Sequence, residues 1–402
     1  MDELYRSENL VVRRVPAQDQ NRWVVTFDNY GIGHGFDREG FGESFLKAQG
    51  ISAIHVMGRR EDWYQYPDLA AALKTVRAAV KGASRVMTYG SSMGAYAAVR
   101  FADAAGAHAA LALSPQYSID PAVAPFEKRW LQDAERISFL PDLNGLIQSK
   151  ARQIIVYDPM TIDRRHAAMI ASDIPVEELR LPYVDHPAGS FLVEIGALAP
   201  LVKAALDGSV DMAALRRMVR AERATSAIYF AHLAAAQPAS RRRLAIQIGR
   251  KAVELNPSSS HALRALGVLL TAEGQYDEAL DLLGRARAVG GDHHPLQIAY
   301  ADALHASGRA EEALIIARAV VAKDDLADLA HLHAWRGMIA WIAESLEEAL
   351  ESMEVAVRLH PGNEEYRAMA AAYRKRLAQE NDVTPARSLF GRVRDWLAVR
   401  GA

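Results

Sequence analysis

Residues 85–100 read RVMTYGSSMGAYAAVR, and this stretch decides the fold of the first half of the chain. It opens with an apolar run, passes through Gly90-Ser91-Ser92-Met93-Gly94 and continues as an alanine-rich helical pattern. A G-x-S-x-G turn between strand and helix is so tight that its serine is forced into an unfavourable backbone conformation, and side chains two positions to either side would collide. Gly90 and Gly94 remove that collision. Ser92 is then expected at the sheet edge, facing a helix N-terminus whose N–H groups and dipole favour an oxyanion.

The segments around it share the same rhythm. Between Trp23 and about Ala205, short apolar runs alternate with helical patterns, as in a parallel sheet flanked by helices. The expected strands are Trp23 to Phe27, Ser52 to Met57, Arg85 to Tyr89, Ala109 to Leu113, Gln153 to Tyr157 and Leu179 to Val184. In such sheets ligands bind beyond the carboxyl ends of the strands, so the residues just after each run are the candidates for chemistry.

A serine hydroxyl needs a base, and usually a carboxylate to orient that base. Asp158 follows the fifth run and His186 the sixth, giving the chain order Ser, Asp, His. His186 lies in the loop Asp185-His186-Pro187-Ala188-Gly189. Asp163 is a second candidate acid; Asp158 is preferred because it directly follows the strand, whereas Asp163 looks like the cap of the next helix. Asp185 is a poor orienter for its own neighbour, since adjacent side chains on an extended segment point apart.

These residues resemble the alpha/beta-hydrolase superfamily over roughly residues 20 to 206. The resemblance implies a mostly parallel sheet with flanking helices and an oxyanion hole with two backbone donors. Met93, after the nucleophile, supplies the first; Asn29 or Tyr30, in the glycine-rich stretch after Phe27, supplies the second. After the second strand come Arg59, Arg60 and Trp63, where a ring could stack on a sugar and a guanidinium could pair with an anionic group; equally, Trp63 could cover the core and the arginines be solvated. The short segment from Pro115 to Asn144, with Trp130, occupies the place of a lid and predicts a fairly open site.

Beyond Arg220 the pattern becomes helical and repetitive. Ala245, Ala279, Ala313 and Ala349 are 34, 34 and 36 residues apart, and Ala252, Ala286, Val320 and Ala356 repeat the intervals. Gly274 and Gly308 fall in matching turns; Ser240 and Glu344 stand at the equivalent places of the outer copies. Small residues let the two helices of a unit approach closely. This pattern resembles the tetratricopeptide (TPR) repeat, which implies a stack of helix pairs whose concave face binds a protein or peptide partner. The last segment carries Leu389, Val393, Trp396 and Leu397 on one helical face with arginines elsewhere, and reads as a docked terminal helix or one touching a membrane surface or partner.

The expected architecture is α/β plus all-α: an alpha/beta-hydrolase-like catalytic domain over 1–208, a TPR α-solenoid over 209–380 and an amphipathic helix over 381–402. Composition narrows the function classes. The chain has 402 residues, 50% hydrophobic and 24% charged, which excludes wholesale disorder. With 47 basic against 49 acidic side chains, there is no broad positive field for nucleic acid. Zero cysteine removes disulfides, thiolate metal sites and cysteine nucleophiles. The pairs His293-His294 and His331/His333 have no acidic cluster beside them and no nucleotide motif is visible, so neither metal nor cofactor is expected. The N-terminus lacks a secretory pattern and no run reaches 18 apolar residues, which makes the cytoplasm the expected location.

The expectation is therefore a serine-dependent acyl-ester hydrolase or O-acyltransferase, whose ester or acyl-bearing substrate includes glycans and glycoconjugates, docked to a partner by its repeats. That substrate class rests on a looser resemblance to bacterial serine O-acetyltransferases and esterases. The alternative is a catalytically inactive hydrolase-like scaffold, and a weaker third is a peptidase.

Overall fold

The computed structural model describes residues 2–323 and 326–380. Eight strands form one mixed sheet: β1 (Asp2–Arg6), β2 (Leu10–Val15), β3 (Asp19–Phe27), β4 (Ile51–Gly58), β5 (Arg85–Ser91), β6 (Ala109–Leu113), β7 (Arg152–Tyr157) and β8 (Val176–Arg180), in the order β1-β2-β4-β3-β5-β6-β7-β8. The pairs β1/β2 and β2/β4 are antiparallel; all others are parallel. The parallel centre is covered on both faces, which is why its strands are apolar at nearly every position. On β3 the alternation is explicit: Trp23, Val25 and Phe27 pack with Leu69, Leu73 and Tyr96, while Val24 packs with Met87, Leu201 and Val202 on the other side.

Two strands lie outside the expected set: β2, with the buried run Leu10-Val11-Val12, and β1, which has no apolar run. In β1, Arg6 pairs with Glu3, and Asp2 pairs with Arg14 of β2 at 2.7 Å, so this edge is stabilised by charge at a solvated surface. The last strand also differs from expectation. It ends at Arg180, and residues 181–185 leave the sheet, with Tyr183 and Asp185 at φ of 65° and 60°. Asp158 holds that turn through the N–H groups of Val184 and Asp185.

Two compact units divide between Ala236 and Gln237, not at 208 as expected. The reason lies in the side chains. Helix Met212–Glu222 buries Leu215 and Val219 in the same cluster as Leu179 and Phe191. Helix Ala227–Ala235 is tied down at its start by Glu194, which accepts from the Ser226 hydroxyl and from the backbone N–H groups of Ala227 and Ile228.

The second unit is helical among its described residues: Arg242–Leu255, Ser260–Ala272, Tyr276–Gly290, His294–Ala306, Ala310–Val321, Ala330–Ile342, Leu346–Leu359 and a helix over 364–380. Both alanine registers lie inside it; Ala279, Ala286, Ala313, Ala349 and Ala356 are fully buried. At Gly267 a Cβ would sit 2.5 Å from Leu283 Cγ, so only glycine permits that helix contact. The expected helix over 381–402 lies outside the described residues.

Gly274 and Gly308 close their turns at φ of 76° and 85°, and Glu344 takes the matching place at 58°. A left-handed conformation costs a side-chain-bearing residue about 1 kcal/mol relative to glycine. Glu344→Gly is therefore expected to raise the stability of the full chain by about that amount, read from the denaturant midpoint of the repeat unit; an unchanged or lower midpoint would contradict the turn assignment.

Candidate functional site: a serine, histidine and aspartate array

Ser92 lies between β5 and the helix Met93–Arg100, at φ 52° and ψ −117°, and is only 6% exposed. The two flanking glycines explain how the chain gets there. A Cβ on Gly90 would meet the carbonyl group of Gly94 at 2.2 Å, and one on Gly94 would meet the Phe27 carbonyl oxygen at 2.3 Å. The second contact also brings the end of β3, and hence the loop carrying Asn29 and Tyr30, against the first turn of the helix.

Ser92 Oγ is 2.8 Å from His186 Nε2, and His186 Nδ1 is 2.8 Å from Asp163 Oδ2. An ionised carboxylate can only accept, so Nδ1 carries the proton and Nε2 presents its lone pair to the serine hydroxyl. Burial pushes the Asp163 carboxyl up, but the hydrogen bond from His186 and the charges of His186 and Arg129 outweigh it and hold Asp163 below the ordinary carboxylate range. The expected acid is thereby corrected: Asp158 does not reach the imidazole. Its oxygens accept from the N–H groups of Met160, Val184 and Asp185 at 2.7 to 2.8 Å, so it shapes the loop that presents His186. Asp163 reaches the ring because it opens helix Asp163–Asp173, one turn beyond the strand end. The loop is further tied by Ala188 N–H donating to Ser114 Oγ, at the end of β6.

One residue beside Ser92 is not among the candidates the sequence singles out. Gln116 Nε2 donates to Ser92 Oγ at 3.0 Å, while its Oε1 accepts from the Trp63 indole N–H at 3.4 Å, which fixes the amide orientation. Gln116 follows the carboxyl end of β6, a position the strand-end rule could have flagged. Trp63 is fully buried at φ 45°, so it is not an open platform for a sugar ring. Arg59 pairs with Glu8 on the surface and Arg60 is exposed; neither has a side-chain contact with Ser92, His186 or Asp163. Above the array, Trp130 lies 5.5 Å from His186 between ring centroids and 5.6 Å from Trp63, with Tyr30 at 6.3 Å. This aromatic cover makes the site more enclosed than the short insertion suggested.

The helix start at Met93 leaves N–H groups without intrahelical partners. The neighbouring Asp28 cannot contribute, because its N–H donates to the Tyr64 hydroxyl and its carboxylate is engaged with Arg38 and the N–H groups of Phe41 and Gly58. Among the described residues, no group of three or more His, Cys, Asp or Glu side chains is placed to hold a metal ion, and no helix is long and apolar enough to cross a membrane.

A second buried pair stands behind the first. His166 Nδ1 accepts from the N–H of Tyr117, so its proton is on Nε2, which donates to Glu127 at 2.8 Å. Burial raises the Glu127 carboxyl, but bonds from His166 and Arg129 bring it down to about 2. Folding stability from this lowered value is fully present above 4.5 and is lost as pH falls towards 2. Glu127→Gln is expected to flatten that part of the stability profile, measured by thermal unfolding across pH 2 to 5; an unaltered profile would contradict the ionised state.

Comparison with known proteins locates the repeats. Residues 270–335 match the tetratricopeptide repeat family, and the chain carries a C-terminal TPR region after an N-terminal mixed sheet with flanking helices. Solved structures similar to part of the chain include YrrB, a TPR protein with an unusual peptide-binding site (21% identity, 37% of this chain and 76% of that one, TM-score 0.31). Others are pilF of Pseudomonas aeruginosa (23% identity, 41% and 74%, TM-score 0.35) and TTC0263 of Thermus thermophilus (19% identity, 45% and 98%, TM-score 0.33). No curated protein matches the chain.

Proposed function

We propose that the N-terminal unit is a serine-dependent acyl-ester hydrolase or O-acyltransferase and that the repeats dock a protein or peptide partner. The observation that carries this reading is the continuous array Ser92 Oγ, His186 Nε2, His186 Nδ1 and Asp163, each step at 2.8 Å, on a strained elbow. A serine held at φ 52° costs of order 1 to 3 kcal/mol, and such strain persists only where the surroundings impose it.

In this mechanism Ser92 Oγ attacks the acyl carbonyl carbon while its proton passes to His186 Nε2. Asp163 stabilises the imidazolium and keeps it oriented. The oxyanion is met by the N–H of Met93 and the amide of Gln116, with Asn29 and Tyr30 in the adjoining loop as further backbone donors. The imidazolium then protonates the departing alcohol. Water or a second hydroxyl, deprotonated by His186, attacks the acyl-serine and releases the product. The glycan or glycoconjugate specificity proposed for the substrate moves from Trp63 to the exposed Tyr30 and the half-buried Trp130 beside it.

The cover over Ser92 favours the second reading, an inactive scaffold whose repeats do the work. The two differ in one experiment. A fluorophosphonate probe is expected to label the full chain, and Ser92→Ala to abolish both labelling and ester turnover with the melting temperature retained. Labelling that persists in the variant removes Ser92 from the chemistry; a parent chain that never labels supports the scaffold.

Gln116 offers a separate check. Gln116→Leu is expected to lower kcat by about 10²-fold with KM nearly constant, as for loss of one oxyanion donor. An unchanged kcat would assign its hydrogen bond to Ser92 a resting-state role only.

A further inference from the structure

The groups behind Ser92 form a closed ring of polar contacts. From Ser92 it runs through His186 to Asp163, then to Arg129, whose guanidinium lies 2.9 Å from Asp163 Oδ1. Arg129 also forks onto Glu127, with Nη2 2.7 Å from Oε2 and Nε 3.1 Å from both oxygens. Glu127 accepts from His166, His166 accepts from the N–H of Tyr117, and the residue before Tyr117 is Gln116, which donates back to Ser92. The acyl-transfer mechanism uses the first three members and leaves Arg129, Glu127 and His166 without a task.

Their arrangement is specific. The two carboxylates, Asp163 and Glu127, are each 1% exposed, and one cation stands between them. Two buried carboxylates without it would repel each other and attract a proton. His166 cannot take that proton on Nδ1 without losing the bond from Tyr117. The same guanidinium lies 4.4 Å from the Trp130 ring centroid, and Trp130 in turn edges His186. Arg129 therefore joins the segment that covers the site to the carboxylate that orients the base.

We propose that Arg129 is a positioning residue for this array: it balances the charge of Asp163 and Glu127 together, so that His186 feels the pull of one carboxylate rather than two. The bonds from His166 and Arg129 that hold Glu127 ionised are consistent with this role. Among the other ionisable groups near the His186 loop, Asp133 and Tyr30 beside the aromatic cover interact with each other and with Arg136 and Glu61. Asp158 is committed to backbone N–H groups below it, and Asp185 points to His232, at 3.8 Å, on the helix Ala227–Ala235. The proposal rests on the acyl-transfer reading only for its catalytic consequence; the charge balance itself can be read without turnover.

The test is a titration of the full chain labelled with ¹⁵N-histidine, followed by NMR, with the His186 resonances assigned from a His186→Gln spectrum. Arg129→Met is expected to move the His186 midpoint up by about one pH unit, because both carboxylates then favour the imidazolium. Glu127→Gln is expected to move it down, because Arg129 then bears on Asp163 alone. A purely structural role would not give shifts of opposite sign. Midpoints that stay in place, or move in one direction in both variants, overturn the proposal. If Arg129→Met fails to fold, Glu127→Gln decides by itself: a downward movement supports the balance and any other result overturns it. Fluorophosphonate labelling of the parent, run in parallel, reports on the acyl-transfer reading independently.

Discussion

The site depends on a steric constraint at the bend between β5 and its helix. Three backbones meet there: the end of β3, the elbow itself and the first helical turn. With would-be Cβ contacts of 2.2 and 2.3 Å at Gly90 and Gly94, no other residue type fits either place without moving backbone. That close approach puts the Ser92 side chain outward at the carboxyl edge of the sheet, next to the loop after β3. The remaining members arrive from strands further along the same edge: Gln116 after β6, Asp163 after β7 and His186 after β8. Parallel pairing is what brings residues 94 positions apart in sequence within 2.8 Å.

Burial then determines how the charges behave. Asp163 and Glu127 lie in surroundings that penalise ionisation, and each remains ionised through a histidine and the shared Arg129. The aromatic cover of Tyr30, Trp63 and Trp130 reduces solvent access and strengthens the interactions beneath it. One contiguous part of the chain, residues 114 to 130, contributes to the geometry, the charge balance and the cover alike, through Ser114, Gln116, Tyr117, Glu127, Arg129 and Trp130.

Much of this was legible in the amino-acid sequence because it is set by local rules. The G-x-S-x-G spacing predicts a bend whatever the rest of the fold does, and the 34-residue interval of buried alanines predicts stacked helix pairs. His186 could be placed by strand order alone. The acid could not: Asp158 and Asp163 both follow β7, and the choice depends on which carboxylate is claimed by the backbone of a loop 26 residues away. Gln116 stands where the strand-end rule points, but its partners Ser92 and Trp63 come from other strand ends, and the reach of Arg129 to Asp163 at the start of a distant helix has no local signal. The division between the units was misplaced because the helix Met212–Glu222 looks like the repeats in periodicity but buries Leu215 and Val219 against the sheet side. The edge strand β1 escaped because charged pairs, not an apolar run, mark it, and its neighbour β2 because its apolar run Leu10-Val11-Val12 is cut short by Arg13 and Arg14.

The most direct measurement is a crystal structure of the full chain after reaction with an alkyl fluorophosphonate. The account predicts phosphorus bonded covalently to Ser92 Oγ, its phosphoryl oxygen within hydrogen-bond distance of the Met93 N–H or the Gln116 amide, and His186 still bonded to Asp163. An unmodified Ser92, or an imidazole turned away from both the serine and Asp163, would contradict it.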